Sequence, residues 1–179
     1  MVLIADIGNY GSGKTLTMTT MGYLAHLQRI PIYTNYEVSF PHTRIESIED
    51  LDNISNGLAL LDEFWYTLDS RASNTKVNRT ISVIISKSRK RNLDIITTEQ
   101  DLSLLDLRLR ERLHYVWLPR LYLDNNGLPA VAKVLILKRN FLGNWEPLPR
   151  SLVLDVSSAL DKYDTAEELM PLISESASK

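Results

Sequence analysis

The octet GNYGSGKT, from Gly8 to Thr15, constrains the fold of this chain more than any other stretch. The apolar run from Val2 to Ile7 precedes it and predicts a short buried strand, while helical character begins at Thr15 and continues to about Arg29. Glycines at this spacing let the backbone wrap closely around a phosphate chain, and the helix N-terminus that follows contributes partial positive charge. The octet in this context therefore predicts a strand–loop–helix unit that binds a nucleoside triphosphate.

The expected ligands within the octet are both backbone and side-chain groups. Lys14 is expected to reach the β- and γ-phosphates of ATP, and the hydroxyl of Thr15 is expected to coordinate Mg²⁺. The alternative interpretation is a glycine-rich turn with an exposed lysine, which the flanking strand and helix disfavour. The residues predicted to contact the nucleotide are Gly8, Asn9, Tyr10, Gly11, Ser12, Gly13, Lys14 and Thr15.

Two acidic residues follow a second apolar run. Leu58 to Leu61 predicts a buried strand, and Asp62 and Glu63 come directly after it. An aspartate at this position can hold Mg²⁺ through water, and the adjacent glutamate can orient and deprotonate a water molecule that attacks the γ-phosphate. Because many strands end in polar residues, this assignment depends on the octet as well as on the pair itself.

A third buried strand is predicted from Leu93 to Thr98, and the polar residue Gln100 lies just beyond it. At the tip of a neighbouring strand, Gln100 could sense the γ-phosphate or the attacking water. Taken alone, it would be interpreted as an ordinary surface glutamine. The predicted catalytic set of one subunit is therefore Lys14, Glu63 and Gln100, with Thr15 and Asp62 as metal ligands.

Strands and helices alternate along the sequence as far as His114. Further helices are predicted in RIESIEDLDN, over 77–90 and over 102–113, and the alternation predicts a mostly parallel sheet with helices on both faces. Beyond His114, the turn Asn125-Asn126-Gly127 predicts a β-hairpin, and YDTAEELMPLIS predicts a short helix. The 179 residues fit one domain, with a frayed tail over 174–179.

Composition limits the possible functions. The chain has no cysteine, which excludes disulfides and thiolate metal sites, and it has no apolar run of the roughly 20 residues that a membrane span needs. The net charge of -2 argues against a histone-like protein, yet Lys76 to Arg120 holds ten basic and five acidic residues. This excess of basic residues favours a phosphate-binding surface. The basic residues of this segment include Lys76, Arg79, Lys87 and Lys90, which are candidate contacts to phosphate groups.

The segment SRKRNLDIITTEQDLS, over 88–103, resembles the arginine–strand–glutamine segment of the FtsK/HerA superfamily of DNA-pumping ATPases. The similarity is strongest to a compact branch, which contains viral genome-packaging ATPases, including those of archaeal viruses, and zonular-occludens-toxin-like proteins of filamentous phages. LLDEFWYTLDSR, LRLRERL and KYDTAEE occur in the order and spacing of that branch, and the resemblance covers 2–168. It implies a RecA-like P-loop NTPase fold with three layers. Arg89 and Gln100 lie where the superfamily keeps an arginine and its sensor glutamine.

The resemblance also implies a homo-oligomeric ring, expected to be a hexamer, with ATP sites between subunits and double-stranded DNA in the central channel. A trans-acting arginine would stabilise the charge that develops during hydrolysis. Arg89 is the first candidate for this role and Arg91 the second. The other candidates are Arg108, Arg112 and Arg71.

The leading hypothesis from the sequence is an ATP-driven motor that packages double-stranded DNA into a viral capsid. We expect such a protein in the host cytoplasm or associated with the virion, with capsid-vertex or portal-like partners and no direct insertion into a membrane. One alternative is a zonular-occludens-toxin-like ATPase that drives filament assembly or export through a membrane partner. It is disfavoured because filamentous-phage relatives carry a membrane segment, which this sequence lacks. A small P-loop kinase is disfavoured by Glu63 and Gln100, because kinases activate a substrate hydroxyl rather than water.

Overall fold

The computed structural model describes residues 1–64, 89–105 and 107–164. The predicted helix over 77–90 lies outside this description except for its last two residues, which form a turn. The predicted helix in YDTAEELMPLIS lies outside it beyond Asp164, as does the predicted frayed tail over 174–179.

The secondary structure of the described residues is dominated by strands. The strands are β1 (Leu3–Ile7), β2 (Ile32–Thr34), β3 (Thr43–Arg44), β4 (Gly57–Leu61), β5 (Leu93–Glu99), β6 (Tyr115–Leu123), β7 (Pro129–Arg139), β8 (Trp145–Pro147) and β9 (Leu152–Asp155). The α-helices are α1 (Lys14–Leu27), α2 (Ile48–Asn53) and α3 (Leu107–Arg110), and 3₁₀ turns span Leu102–Leu104 and Ser157–Ala159.

All of these strands belong to one sheet, which is parallel through its centre. The order is β3-β2-β4-β5-β1-β6-β7-β8, and β9 also pairs with β7. The strands from β3 to β6 in this order run parallel, and every residue of β1 and β4 is buried. The mostly parallel sheet predicted from the sequence is therefore confirmed. Because β5 lies between β1 and β4, the carboxyl ends of these three strands meet at the same edge of the sheet.

Helices cover both faces of the central sheet, which gives three layers. On one face, Ile4 of β1 and Leu60 of β4 pack with Leu16 and Met18 of α1. On the other face, Leu3 and Ala5 of β1 pack with residues from α2, α3 and the adjoining loops, including Leu51 and Leu109. Alternate residues of a strand point to opposite faces, so the buried apolar residues of β1 and β4 contribute to both clusters.

The helix predicted in RIESIEDLDN is present as α2 and is capped by its own first turn. The Ser47 side chain accepts a hydrogen bond from the Asp50 backbone N–H at 3.2 Å. The Asp50 carboxylate accepts one from the Ser47 N–H at 2.8 Å. This reciprocal pair satisfies two backbone donors that the helix cannot satisfy internally.

The single helix predicted over 102–113 is wrong. The chain instead forms the 3₁₀ turn Leu102–Leu104 and then α3, separated by Leu105 with an extended backbone of φ -76° and ψ 136°. The apolar spacing is real, since Leu105, Leu109 and Leu113 are all buried in the same cluster. Burial of Leu105 in an extended conformation outweighs the local helical preference, because tertiary packing routinely overrides propensity.

The C-terminal β-hairpin is confirmed as β6 and β7, which pair along most of their lengths. At its turn, the Asp124 carboxylate accepts hydrogen bonds from the backbone N–H groups of Asn126 at 2.8 Å and Leu128 at 2.9 Å. The sequence analysis did not predict β8 and β9, which pair antiparallel with β7 and widen the sheet. Within the described ranges, no helix is both long and apolar enough to cross a membrane.

Candidate nucleotide-binding site

The octet forms the connection between β1 and α1. Gly11 and Gly13 have φ angles of 76° and 95°, a left-handed conformation that residues with a side chain rarely adopt. The N–H of Gly8 donates to the carbonyl of Glu99 in β5 at 3.2 Å, which anchors the loop to the neighbouring strand. Gly13 is the N-cap of α1 and supplies no side-chain cap. The loop and the first turn of α1 can therefore offer backbone N–H groups to an anion.

Lys14 lies inside this loop. Its Nζ donates to the carbonyl oxygens of Gly8 at 2.8 Å and Asn9 at 3.2 Å, and it lies 5.9 Å from the centre of the Tyr10 ring. The Lys14 side chain is buried, whereas Tyr10 is 78% exposed. An ammonium group has three donors and no acceptor, so the phosphate oxygens of a nucleotide are suitable replacements for these carbonyl groups.

The two predicted metal ligands are in direct contact. The hydroxyl of Thr15 donates to the Asp62 carboxylate, at 3.1 Å to Oδ1 and 3.2 Å to Oδ2. The hydroxyl of Thr98 in β5 also donates to Asp62 Oδ1. Burial raises the pKa of the Asp62 carboxyl, and the hydrogen bonds from Thr98 and Thr15 partly oppose that shift. A divalent cation at this point would favour the ionised carboxylate.

Asn35 holds the backbone of Asp62 in place. Its side-chain Nδ2 donates to the Asp62 carbonyl at 2.8 Å, and the Asp62 N–H donates to Asn35 Oδ1 at 2.7 Å. Asn35 is 5% exposed and follows β2, which pairs with β4. This two-way pairing fixes the position at which the chain leaves β4 and turns towards Glu63.

Glu63 has an unusual backbone conformation. Its φ angle is 43°, and its N–H donates to the hydroxyl of Thr98 at 2.9 Å. A residue with a side chain pays of order 1 kcal/mol or more for this conformation, so surrounding contacts must maintain it. Thr98 and the two hydrogen bonds between Asn35 and the Asp62 backbone supply those contacts. Asp62 and Glu63 therefore lie in a tight turn at the edge of the sheet.

Gln100 lies at the same edge, between the phosphate loop and the acidic pair. It follows β5, in which Glu99 pairs with Ile7 at the end of β1 and Thr97 pairs with Leu61 at the end of β4. The side chain is partly exposed. The octet, the acidic pair and the glutamine, which the sequence analysis grouped from separate segments, therefore meet at one edge.

Asp6 is a buried acid that the sequence analysis did not single out. It lies in β1, pairs in register with Thr98 and Trp117, and is fully buried. Neither of its carboxylate oxygens has a hydrogen-bond partner in the described part of the chain. Burial raises the pKa of Asp6 well above its ordinary value, Lys14 opposes that shift, and Asp62 adds to it.

The first two candidates for the trans-acting arginine, Arg89 and Arg91, lie at the opposite edge of the sheet. Arg89 is exposed in the turn that precedes β5, whereas Gln100 follows the other end of this strand. Seven residues of strand span about 20 Å, so neither Arg89 nor Arg91 belongs to the nucleotide site of its own chain. Arg91 is also engaged within the chain, because its guanidinium donates to Asp52 at 2.6 Å and to the Leu51 carbonyl at 3.3 Å.

The remaining basic candidates are only partly covered by the description. Arg112 is exposed just after α3, and Lys90 is exposed beside Arg89. The backbone of Arg108 lies in α3, but its side chain is outside the described set. Arg71, Lys76, Arg79 and Lys87 lie outside the described residues.

Sequence reasoning missed Asn35 and Thr98 as well as Asp6. A usable signal existed for Asn35, because it follows a short apolar strand in the same way that Asp62 follows β4. Thr98 was included in a predicted strand, and its contact with Asp62 depends on β5 lying beside β4, which one sequence does not reveal. A signal existed for Asp6 as well, because it is the one charged residue in the otherwise apolar run from Val2 to Ile7.

The donor set fits a nucleotide with Mg²⁺ better than a metal held by protein alone. Among the described residues, no group of three or more histidine, aspartate or glutamate side chains could hold a metal ion. Mg²⁺ is usually held by one or two protein oxygen ligands together with water and phosphate oxygens. Thr15 and Asp62 are such ligands, and the phosphate loop beside them would supply the nucleotide.

Solved structures share this architecture. The N-terminal domain of zonular occludens toxin from Neisseria meningitidis superposes with a TM-score of 0.60 at 20% identity, covering 92% of this chain and 100% of that one. The genome-packaging NTPase B204 of Sulfolobus turreted icosahedral virus 2, in complex with ATP-γS, gives 0.56 at 13% identity, covering 84% and 98%. The flagellar accessory protein FlaH of Methanocaldococcus jannaschii gives 0.50 at 12% identity, covering 86% and 89%.

No protein-family model matches the sequence, and no curated protein matches it. The relationship is therefore visible in the fold, at sequence identities of 20% and below. The superpositions extend over most of both chains in each pair. The chain therefore has the RecA-like P-loop NTPase fold, as the sequence predicted, and shares it with the zonular occludens toxin domain and the viral packaging NTPase.

Proposed function

We propose that this protein is an ATPase that moves double-stranded DNA, as a homo-oligomeric ring, during viral genome packaging. The observation that carries the proposal is the convergence of the phosphate loop, the Thr15–Asp62 pair, Glu63 and Gln100 at one edge of the sheet. In the proposed site this set supplies a phosphate cradle, ligands for Mg²⁺ and a carboxylate that could activate water. It suits hydrolysis of the γ-phosphate rather than transfer to a bound acceptor.

Each residue has a distinct part in the proposed reaction. The backbone N–H groups of the loop and the Lys14 ammonium bind the β- and γ-phosphates, and Thr15 and Asp62 hold Mg²⁺, which neutralises charge on the phosphates. Glu63 accepts a proton from the attacking water. Gln100 orients that water or contacts the γ-phosphate.

DNA as the moved substrate is supported by the fold shared with a genome-packaging NTPase and by the basic segment from Lys76 to Arg120. A motor that slides along a duplex should contact phosphates rather than read bases. Contacts with phosphates release counterions, so binding should weaken steeply as salt increases. The proposed location is the host cytoplasm or the virion, with capsid-vertex proteins as further partners.

The decisive measurement is release of phosphate from ATP with and without duplex DNA, across a range of salt concentrations. We expect turnover without any acceptor, stimulation by duplex DNA and loss of that stimulation at high salt. Glu63→Gln should retain ATP binding and reduce turnover by about 10²-fold or more, because it removes the proton acceptor. Phosphate transfer that requires an added acceptor would support a kinase instead. DNA stimulation that does not respond to salt would contradict direct phosphate contact.

The ring is tested by mixing two inactive variants. Arg89→Ala retains Glu63, and Glu63→Gln retains Arg89. In a mixed ring, some interfaces therefore combine an intact Glu63 from one variant with an intact Arg89 from the other. We expect the mixture to recover part of the turnover that either variant alone has lost. No recovery, in a mixture that exchanges subunits, would argue against Arg89 acting on a neighbouring site.

A second candidate is an ATPase that drives filament assembly or export through a membrane partner. It is favoured by the full coverage of the zonular occludens toxin domain and the TM-score of 0.60. The two candidates differ in what stimulates hydrolysis. Stimulation by a membrane assembly protein, with no response to duplex DNA, would favour this second function.

A further inference from the structure

The hairpin formed by β6 and β7 extends beyond the sheet on the side of the nucleotide site. β6 pairs with β1 only through Tyr115, Val116 and Trp117, whereas its pairing with β7 continues to Leu123. The six residues from Leu118 to Leu123 add about 20 Å of strand. Because β6 runs parallel to β1, this extension, which we call the hairpin arm, projects past the edge that carries the phosphate loop.

The inner face of the arm contacts the loop through Leu121. A methyl group built at Gly13 would lie 2.5 Å from Leu121 Cγ, 2.7 Å from Cδ2 and 2.8 Å from Cδ1. The isobutyl group of Leu121 therefore fills the space beside the Gly13 Cα. Gly13 is the residue at which the loop turns into α1, with a φ angle of 95°.

Leu121 is itself held by the arm rather than by the loop. It pairs with Ala132 of β7, which is fully buried, and it packs on the apolar cluster that includes α1. Behind Ala132, β9 pairs with the other side of β7. The arm is thus a small three-stranded unit with an apolar inner face, and Leu121 transmits its position to the first turn of α1.

We propose that Leu121 is a positioning residue through which the hairpin arm holds the phosphate loop in the shape that binds nucleotide. The backbone amides of the loop must point at the phosphate oxygens, and a shift at Gly13 would rotate those that follow it. A leucine that fills the space beside Gly13 opposes that shift. The arm and the nucleotide site are then energetically coupled, so nucleotide binding should in turn stabilise the arm.

The coupling is tested by the affinity of three variants for ATPγS with Mg²⁺, measured by calorimetry. Leu121→Ala should raise the Kd at least about fivefold, at the lower end of measured couplings between sites. Leu121→Met should restore affinity because it refills the volume. Leu123→Ala is the matched control, since Leu123 belongs to the same strand but is 62% exposed. It should leave the Kd unchanged.

A purely structural role for Leu121 predicts a different pattern. Leu121→Ala would then melt at a lower temperature without nucleotide, while its Kd would rise less than fivefold. That result in a folded variant overturns the proposal. The native chain provides a second measurement, which remains informative even where Leu121→Ala does not fold. ATPγS should slow hydrogen exchange of the amides over 118–123 and 130–134, and an unchanged rate there also overturns the proposal.

This inference rests on the nucleotide-binding part of the proposed function and not on DNA. The two can therefore fail separately. A native chain that binds no ATPγS would contradict the proposed function itself. A native chain that binds ATPγS with the same affinity as Leu121→Ala would contradict only the role of the arm.

Discussion

Asn35 allows the most quantitative test of how this site is built. Its amide makes two hydrogen bonds to the backbone of Asp62, of 2.8 Å and 2.7 Å, and the residue is 5% exposed. In Asn35→Ala both bonds are lost, and the N–H and carbonyl of Asp62 lose these partners in a partly buried environment. Each such bond contributes about 1 kcal/mol, and a buried polar group without a partner costs about 1–3 kcal/mol. We therefore expect the free energy of unfolding to fall by about 2–4 kcal/mol.

The same substitution should also impair hydrolysis. Asp62 precedes Glu63, whose φ angle of 43° requires support from its surroundings. Release of Asp62 should let this turn relax, whereas the phosphate loop retains its anchor to β5. Turnover should therefore fall more than nucleotide affinity does.

The assay is urea denaturation followed by circular dichroism, together with phosphate release and nucleotide affinity on the same preparations. Asn125→Ala provides the matched control, because Asn125 is exposed in the hairpin turn. It should change the free energy of unfolding by less than about 0.5 kcal/mol. A loss of that small size in Asn35→Ala would refute the reasoning, as would a loss of nucleotide binding equal to the loss of turnover.

Three further predictions test other parts of the structure. Folding raises the pKa of the Asp6 carboxyl, so the folded chain binds a proton on this group more tightly than the unfolded chain does. The free energy of unfolding of the native chain therefore falls as pH rises from the unfolded pKa of Asp6 through its folded pKa. The stability of Asp6→Asn relative to the native chain should therefore increase from pH 4 to pH 8 in thermal melts with EDTA. Arg91→Ala should lower the free energy of unfolding by about 1 kcal/mol by removing an ion pair of 2.6 Å, and Arg89→Ala should leave it unchanged in urea denaturation. Gly57→Ala should cost about 1–3 kcal/mol by the same method, because the new methyl group would lie 2.4 Å from the Pro31 carbonyl oxygen.

The central sheet could be predicted from the sequence because its strands are short, apolar and flanked by clear turns. Leu58 to Leu61 and Leu93 to Thr98 were placed within one residue of β4 and β5. The edge at which the site forms follows from the same pattern, since the carboxyl ends of parallel neighbours coincide. The octet, Asp62 and Gln100 could be grouped from the sequence for that reason.

The parts that could not be predicted depend on contacts between distant segments. Leu105 interrupts the helix predicted over 102–113 because an extended backbone places its side chain in the core. Thr98 contacts Asp62 only because β5 lies beside β4. The contact between Leu121 and Gly13 joins residues 108 positions apart along the printed sequence. No local pattern encodes any of these contacts, which arise from the strand order.

The strand order also bears on the choice between Arg89 and Arg91. Both lie at the amino end of β5, and the nucleotide site lies at its carboxyl end, so a role for either arginine in hydrolysis requires a second copy of the chain. Arg91 would have to give up its bonds to Asp52 and Leu51 to do so, and a donor so engaged is poorly placed to meet a charge that develops only in the transition state. Arg89 is exposed in the preceding turn and has no such ion pair to break among the bonds found for the described residues. If a neighbouring copy supplies the proposed trans-acting arginine, this geometry favours Arg89, whereas the bonds of Arg91 attach α2 to the sheet.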